Sequence, residues 1–253
     1  MSVRVFAITC GWIGADLGQF LEGESGQIRI PVPSWLIEHP KGRLLFDSGL
    51  HPTTQTDPGS RLRGLVKIFD IQFAPGEEID ARLAALDVDA SAVPLLINSH
   101  LHFDHAGGNA RLPNARLLVQ RREWEAGQDP DQAKANAMNP EDYDLGHDLL
   151  LVDGEHDVFG DGSVVCLPTH GHTPGHQSLR VALDTGPVIL TADACYMRRT
   201  LEHLQLPPFA HDREQALDSL RRLRELQARG ARLIFGHDPE LWDGMPQAPA
   251  PII

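Results

Sequence analysis

The segment Asn98–Asn109, NSHLHFDHAGGN, places His100, His102, Asp104 and His105 within six positions. One histidine is readily a buried polar group with a satisfied hydrogen bond. Four metal-ligating side chains this close together require another account. In an extended segment alternate side chains share a face, so His100 and His102, following the apolar run PLLINS, can grip one cation. The chain must turn at Asp104–His105, ahead of Ala-Gly-Gly, and those two side chains then face a second cation beside the first. Further donors stand at the edges of other apolar runs: Asp193 after VILTA, His237 after RLIFG, and His176 just before QSLRVAL. Asp193 carries two oxygens and can bridge two ions, which a neutral imidazole cannot do. Imidazole and carboxylate sets suit two divalent transition-metal ions, Zn2+ first, with Fe, Mn or Co as alternatives.

These side chains must be brought together by the elements around them. Val3–Ile8, Ser34–His39 and Arg43–Asp47 read as strands, the last two joined by a Pro-Lys-Gly turn. Pro94–Ser99 and Ala115–Gln120 read as buried strands. HDVF and SVVCLP flank a Gly160–Gly162 turn, and QSLRVAL, PVILTA and RLIFG complete the strands. Glu77–Leu86 and Arg213–Arg229 carry apolar residues at helical spacing. Asp212 is placed to cap the second helix, Gln215 sits at the capping-box position and Gly230 closes it. Residues 51–76 form a long connection that is too apolar for solvent-exposed filler. They read as a lid or substrate loop, with Phe69 and Phe73 facing a pocket. The Pro-rich end, 244–253, reads as irregular.

At about 150 residues per domain, the 253 residues are read as one domain spanning 1–253. Asp+Glu outnumber Lys+Arg by 35 to 22, a formal charge of −13. That balance disfavours nucleic acid, which wants a basic footprint. No run approaches the roughly 18 apolar residues of a membrane span. Cys10, Cys166 and Cys195 form no CxxC pair, so they read as buried free thiols rather than disulfides or zinc ligands. With a start that lacks the pattern of a signal peptide, a cytoplasmic protein is expected, with a homodimer as a candidate assembly.

The histidine block resembles the HxHxDH signature of the metallo-β-lactamase superfamily. LLFDSG (Leu44–Gly49), THGHTPGHQS (Thr169–Ser178), LTADACY (Leu190–Tyr196) and FGHD (Phe235–Asp238) stand in that family's order. The resemblance implies an α/β fold, an αββα sandwich of two mixed β-sheets flanked by helices, with metals at one edge. It implies that His100, His102 and His176 hold the first ion, that Asp104, His105 and His237 hold the second, and that Asp193 bridges them. Asp47 would orient a ligand imidazole from behind. His172 is expected to be a hydrogen-bonded structural residue, His170 and His211 pocket candidates, and Cys195 a packing residue.

Two such ions lower the pKa of a shared water towards neutrality, which points to hydrolysis of a lactone, ester, thioester or phosphoester. Tyr196 narrows this, because DACY looks like the Asp-x-x-Tyr of the N-acyl homoserine lactonases. That resemblance implies that Tyr196 donates to the substrate carbonyl, that Asp104 returns a proton to the leaving oxygen, and that the role is quorum quenching. The small-molecule substrate is then a lactone. Other lactone, ester or thioester hydrolases of the superfamily are the nearest alternatives. A thioesterase for glutathione conjugates would want basic residues near the carboxyl end, and GHDPELWDGMPQAPAPII has none. A di-iron oxidoreductase would want Glu where His102 stands. A non-catalytic metal-binding protein is the remaining alternative.

Overall fold

Two strands of 13 residues, β1 (Arg4–Asp16) and β2 (Gln27–His39), run far beyond the lengths expected of them. The reason is a β-bulge. The β1–β2 register shifts between Thr9 and Trp12, around Gly11 at φ +101°, and pairing then resumes. The bulge also accounts for Pro31 and Pro33 inside a central strand. They pair with Trp12 and Thr9 at the shift, where the ladder is already interrupted and a missing donor costs least.

The computed structural model describes residues 2–252. The remaining strands of the first sheet are β3 (Gly42–Phe46), β4 (Asp70–Gln72), β5 (Leu95–Ile97), β6 (Arg116–Gln120) and β7 (Leu149–Val152). Their order is β4-β1-β2-β3-β5-β6-β7, antiparallel from β4 to β3 and parallel from β3 to β7. The second sheet contains β8 (His156–Asp157), β9 (Val164–Pro168), β10 (Gln177–Leu183), β11 (Gly186–Leu190) and β12 (Arg232–Ile234), in the order β12-β11-β10-β9-β8. Only β11–β12 is parallel there.

The two sheets meet face to face. Trp35, Leu44, Phe46 and Leu118 of the first pack into one buried cluster with Val164, Cys166, Leu179 and Leu190 of the second. The helix Arg213–Ala228 covers the outer face of the second sheet through Ala216, Leu220 and Leu223. Its ends form as its sequence dictates: Asp212 accepts from the N–H groups of Glu214 and Gln215, and Gly230 follows at φ +97°. Short helices cover the first sheet, and the result is the αββα sandwich.

Two segments differ from a plain sequence reading. Residues 51–76 are not a free-standing lid. They fold into short helical turns, including Pro58–Leu62, and end in β4, which pairs with β1 at Trp12–Gly14. The carboxyl-terminal run forms no named strand, but it is bonded to β1: Ala248 N–H donates to Ala7 and Ile252 N–H to Val5. No helix among the described residues is long and apolar enough to cross a membrane.

Candidate metal centre

The strands β3, β5, β11 and β12 all deliver a titratable side chain just beyond their carboxyl ends. Parallel pairing of β3 with β5 and of β11 with β12 puts those ends at one edge of the sandwich. Asp47 follows β3 in the left-handed region, at φ +59°, a conformation that Asp tolerates better than most residues. The turn aims its carboxylate inward. Oδ1 accepts Ser99 N–H at 2.7 Å, while Oδ2 accepts Ser99 Oγ–H and His105 Nδ1–H, both at 2.8 Å. Asp193 and His237 are brought together by close approach of the segments after β11 and β12. A Cβ on Gly236 would lie 2.4 Å from the Ala192 carbonyl oxygen, so only glycine fits there.

The convergent donors form two buried groups, His100 with His102, His172 and Asp193, and Asp104 with His105 and His237. Asp193 spans both. Its Oδ2 lies 3.8 Å from His100 Nε2 and 3.4 Å from His172 Nε2, and its Oδ1 lies 3.1 Å from His105 Nε2 and 2.9 Å from His237 Nε2. This is the bridging position expected for Asp193.

His176 does not take the position expected of it. Its Nδ1 meets Thr169 Oγ1 at 2.9 Å and its Nε2 accepts Asp193 N–H at 3.1 Å. Both nitrogens are therefore used within the protein, in support of the loop and of the Asp193 backbone. His172 stands in the first group instead. Its Nε2 lies 3.2 Å from His100 Nε2 and 3.0 Å from His102 Nδ1. Both histidines belong to the run GHTPGH, and spacing alone did not distinguish them; which one is free depends on how the turn closes.

Each remaining imidazole has one nitrogen committed and one free. His102 Nε2–H donates to the Asn136 carbonyl at 2.7 Å, leaving Nδ1 towards the cluster. His105 Nδ1–H donates to Asp47 and His237 Nδ1–H to the Pro31 carbonyl at 2.8 Å, leaving both Nε2 atoms inward. His100 Nδ1 is held by Ser99 Oγ at 2.9 Å. Partners of this kind fix the tautomer of a metal-ligating histidine.

Two observations test the fit to metal ions. In the first group three imidazole nitrogens with inward lone pairs lie within 3.2 Å of one another, an arrangement that is repulsive unless a cation lies among them. In the second, His105 Nε2, His237 Nε2 and Asp193 Oδ1 are buried and make no hydrogen bond, although buried polar atoms are nearly always partnered. Nitrogen and oxygen donors of this kind fit a pair of divalent transition metals.

The electrostatics agree. Burial, reinforced by neighbouring imidazoles, holds His100 well below its ordinary pKa. Burial likewise holds His172 well below its own and lowers His102; the neutral form is the ligating one. Burial alone would lower His105 and His237, but Asp193 and Asp104 outweigh it and raise both. This carboxylate field draws in positive charge. Burial, with Asp193 and Asp104 adding to it, pushes Tyr196 well above the usual phenol range, so its hydroxyl remains a donor.

Tyr196 is 3 % exposed, and its hydroxyl lies 3.4 Å from His172 Nδ1. Above the cluster opens a cavity of about 390 Å3 whose walls include Phe20, Leu65, Ile68, Phe69, Phe103 and Phe209, with Tyr196, Asp104, Asp193 and His237 at its floor. Phe69 lies where the sequence reading placed it. Phe73 does not: it is buried in the main core against Gly11, away from the cavity. Phe20 and Phe103 also line it without being legible in the sequence, since isolated aromatics give no signal that separates a pocket wall from core. Among the further histidines, His211 lines the cavity, whereas His170 binds the His176 carbonyl. Cys195 is fully buried packing.

Comparison with known proteins gives this architecture its context. The model of the metallo-β-lactamase superfamily matches residues 28–237. The N-acyl homoserine lactonase AttM of Azorhizobium caulinodans is 37 % identical over 238 residues, covering 90 % of this chain and 89 % of that one. The N-acyl homoserine lactonase AiiA of Bacillus thuringiensis subsp. kurstaki is 31 % identical, covering 84 % and 83 %. A solved N-acyl homoserine lactone hydrolase, with the product N-hexanoyl-L-homoserine at its catalytic metal centre, superposes at a TM-score of 0.89 with 28 % identity over the full length of both chains. The chain belongs to the metallo-β-lactamase superfamily. Within it, it groups with the N-acyl homoserine lactonases.

Proposed function

We propose that the protein is a metal-dependent hydrolase that opens the lactone ring of N-acyl homoserine lactones, and so quenches quorum signals. The observation that carries this reading is the pairing of two donor groups across Asp193, with Tyr196 beside them, at the floor of an apolar cavity. His100, His102 and His172 would hold one ion, Asp104, His105 and His237 the other, and Asp193 both. Zn2+ is the ion we favour, since the set contains only imidazole and carboxylate donors. When bound, the ions supply Lewis acidity and bring a water to ionise near neutral pH.

The chain's own residues supply the rest. The apolar wall holds the acyl chain and excludes water from it. The Tyr196 hydroxyl, kept protonated, donates to the lactone carbonyl oxygen and more strongly to the anion that forms there. Asp104 Oδ2, 3.7 Å from both His105 Nε2 and His237 Nε2, is placed to take the proton that water gives up as its oxygen bonds the carbonyl carbon, and to return that proton to the ring oxygen as the ring C–O bond breaks. The product is an open N-acyl homoserine. The free, buried state of Cys10, Cys166 and Cys195 supports a reducing, cytosolic setting.

Proton release on a pH-stat tests the reading. Purified protein carrying about two ions per chain should hydrolyse homoserine lactones with medium or long acyl chains. Turnover of thioesters or aryl esters with none of lactones would overturn the substrate assignment.

A further inference from the structure

Glu123 is completely buried, in the first turn of the helix Arg121–Gln128, and the chemistry above does not use it. Its two oxygens serve two different segments. Oε1 accepts the N–H of Leu101 at 3.1 Å, and Oε2 accepts the N–H of Gly175 at 2.6 Å. Leu101 lies between His100 and His102, while Gly175 lies three residues beyond His172. One carboxylate therefore ties together the two segments that supply the three imidazoles of the first group.

The geometry around it is close. A Cβ on Gly175 would lie 2.4 Å from the Glu123 backbone nitrogen and 2.6 Å from its Cβ, so the turn closes directly onto the helix. Elsewhere the same two segments are joined by Gln177 N–H donating to Ser99 and by Gln177 Nε2–H donating to Asn98. Without Glu123 only that side of the frame remains. Burying a carboxyl group costs free energy that an apolar side chain of similar size would not, and a two-ended acceptor is what this position gains in return.

We infer that Glu123 is a positioning residue: by accepting the Leu101 and Gly175 amides together, it sets the distance between the His100–His102 segment and His172, and hence the affinity of the first metal position. The inference rests on the metal-centre reading above. An amide at this position can accept from only one of the two N–H groups and presents its own donor to the other, so Glu123→Gln breaks one tie with little change of shape.

Zn2+ affinity measured by chelator competition, together with amide exchange over residues 99–106 and 171–177, tests this on the whole protein. Glu123→Gln should bind one of the two ions at least tenfold more weakly. The other ion should bind as in wild type, whatever fall in the metal-free unfolding midpoint the amide left without an acceptor brings. Exchange should quicken in both segments. Two ions bound with wild-type affinity and unchanged exchange would overturn the inference. A merely structural role would lower the metal-free midpoint without favouring one ion over the other. Should the variant not fold, wild type alone decides: the Leu101 and Gly175 amides must both be strongly protected, and rapid exchange at either removes the tie. A wild-type protein that bound no metal would instead defeat the metal-centre reading, so the two failures are distinguishable.

Discussion

The floor and the wall of the cavity are built differently. On the floor the inward-facing donors are buried, His102 only in part, and the candidate ligand imidazoles His100, His102, His105 and His237 are braced from behind by Ser99, Asn136, Asp47 and Pro31. The wall is made of short helical turns and loops, with Ile68 and Phe209 about 40 % exposed and its contacts mainly apolar. Precise placement is concentrated where charge develops. The wall need only offer apolar area, which is non-directional and tolerates looser construction. Substitutions on the floor should therefore alter metal content and chemical rate, and those on the wall should alter substrate preference.

The largest effect should come from removing the bridge. Asp193→Ala takes the shared carboxylate from both groups and leaves the His105 and His237 imidazoles with no anion between them. Metal content should fall below one ion per chain, and lactone turnover should drop by about a thousandfold or more, a scale at which the metal contribution is lost outright. A companion pair sharpens the assignment of donors. His172→Ala should lose an ion, whereas His176→Ala should retain two and pay in stability, because the Asp193 N–H loses its acceptor. The reverse pattern would restore His176 to the ligand set. These outcomes are read by elemental analysis and thermal unfolding.

Tyr196→Phe comes next. It removes one donor to the developing anion and leaves the aromatic packing against Phe20. The expected result is a 10- to 100-fold fall in kcat, about 1.4–2.7 kcal/mol, with metal content unchanged. Unchanged kinetics on the best lactone would take Tyr196 out of the mechanism.

The floor was also the part most legible in the sequence. Its donors are chemically distinctive, and six of the seven expected, together with Asp47, stand where strand ends and the family pattern placed them. The exception, His176 for His172, arose because two histidines four residues apart share one turn, and the choice rests on a hydrogen bond from a backbone amide that no spacing encodes. The wall is less legible there. Phe69 and Phe73 are alike in sequence, yet one lines the cavity and the other fills the core beside Gly11. The difference is made by β4, whose three residues, Asp-Ile-Gln, carry too little pattern to announce a strand. The lengths of β1 and β2 were hidden for the same kind of reason: the bulge at Gly11 and the prolines opposite it look like strand ends when read singly.

On the wall the effect should be smaller and selective. Phe69 packs between Phe20 and Phe103, with ring centres 6.2 and 6.0 Å away. Phe69→Ala should raise KM for long-chain lactones several-fold, on the order of 1 kcal/mol of apolar contact, and leave short-chain lactones and kcat nearly unaltered. An equal loss across all chain lengths would mean that Phe69 supports the floor rather than the acyl chain.

The smallest effect concerns how the wall is anchored. Arg61, within the helical turn Pro58–Leu62, bonds Asp142 Oδ1 at 3.2 Å, and also His51 Nε2 and the Glu141 carbonyl. Asp142 is buried, its Oδ2 lacks a partner, and burial, only partly offset by Arg61, raises its pKa from 3.8 to about 7. The sign follows from proton counting. Between pH 4 and 7 the folded protein holds a proton here that the unfolded chain has released, so this group's contribution becomes steadily less favourable as pH rises through that window and levels off above it. Asp142→Asn removes the titration, and Arg61 keeps its other partners. The variant should match wild type in unfolding midpoint near pH 4 and exceed it by a few degrees near pH 8, since about 1 kcal/mol moves a chain of this size by roughly 2–4 °C. Parallel midpoint curves across that range would show that Asp142 is already ionised in the folded protein and that the Arg61 pair, rather than a neutral carboxyl, holds the wall in place.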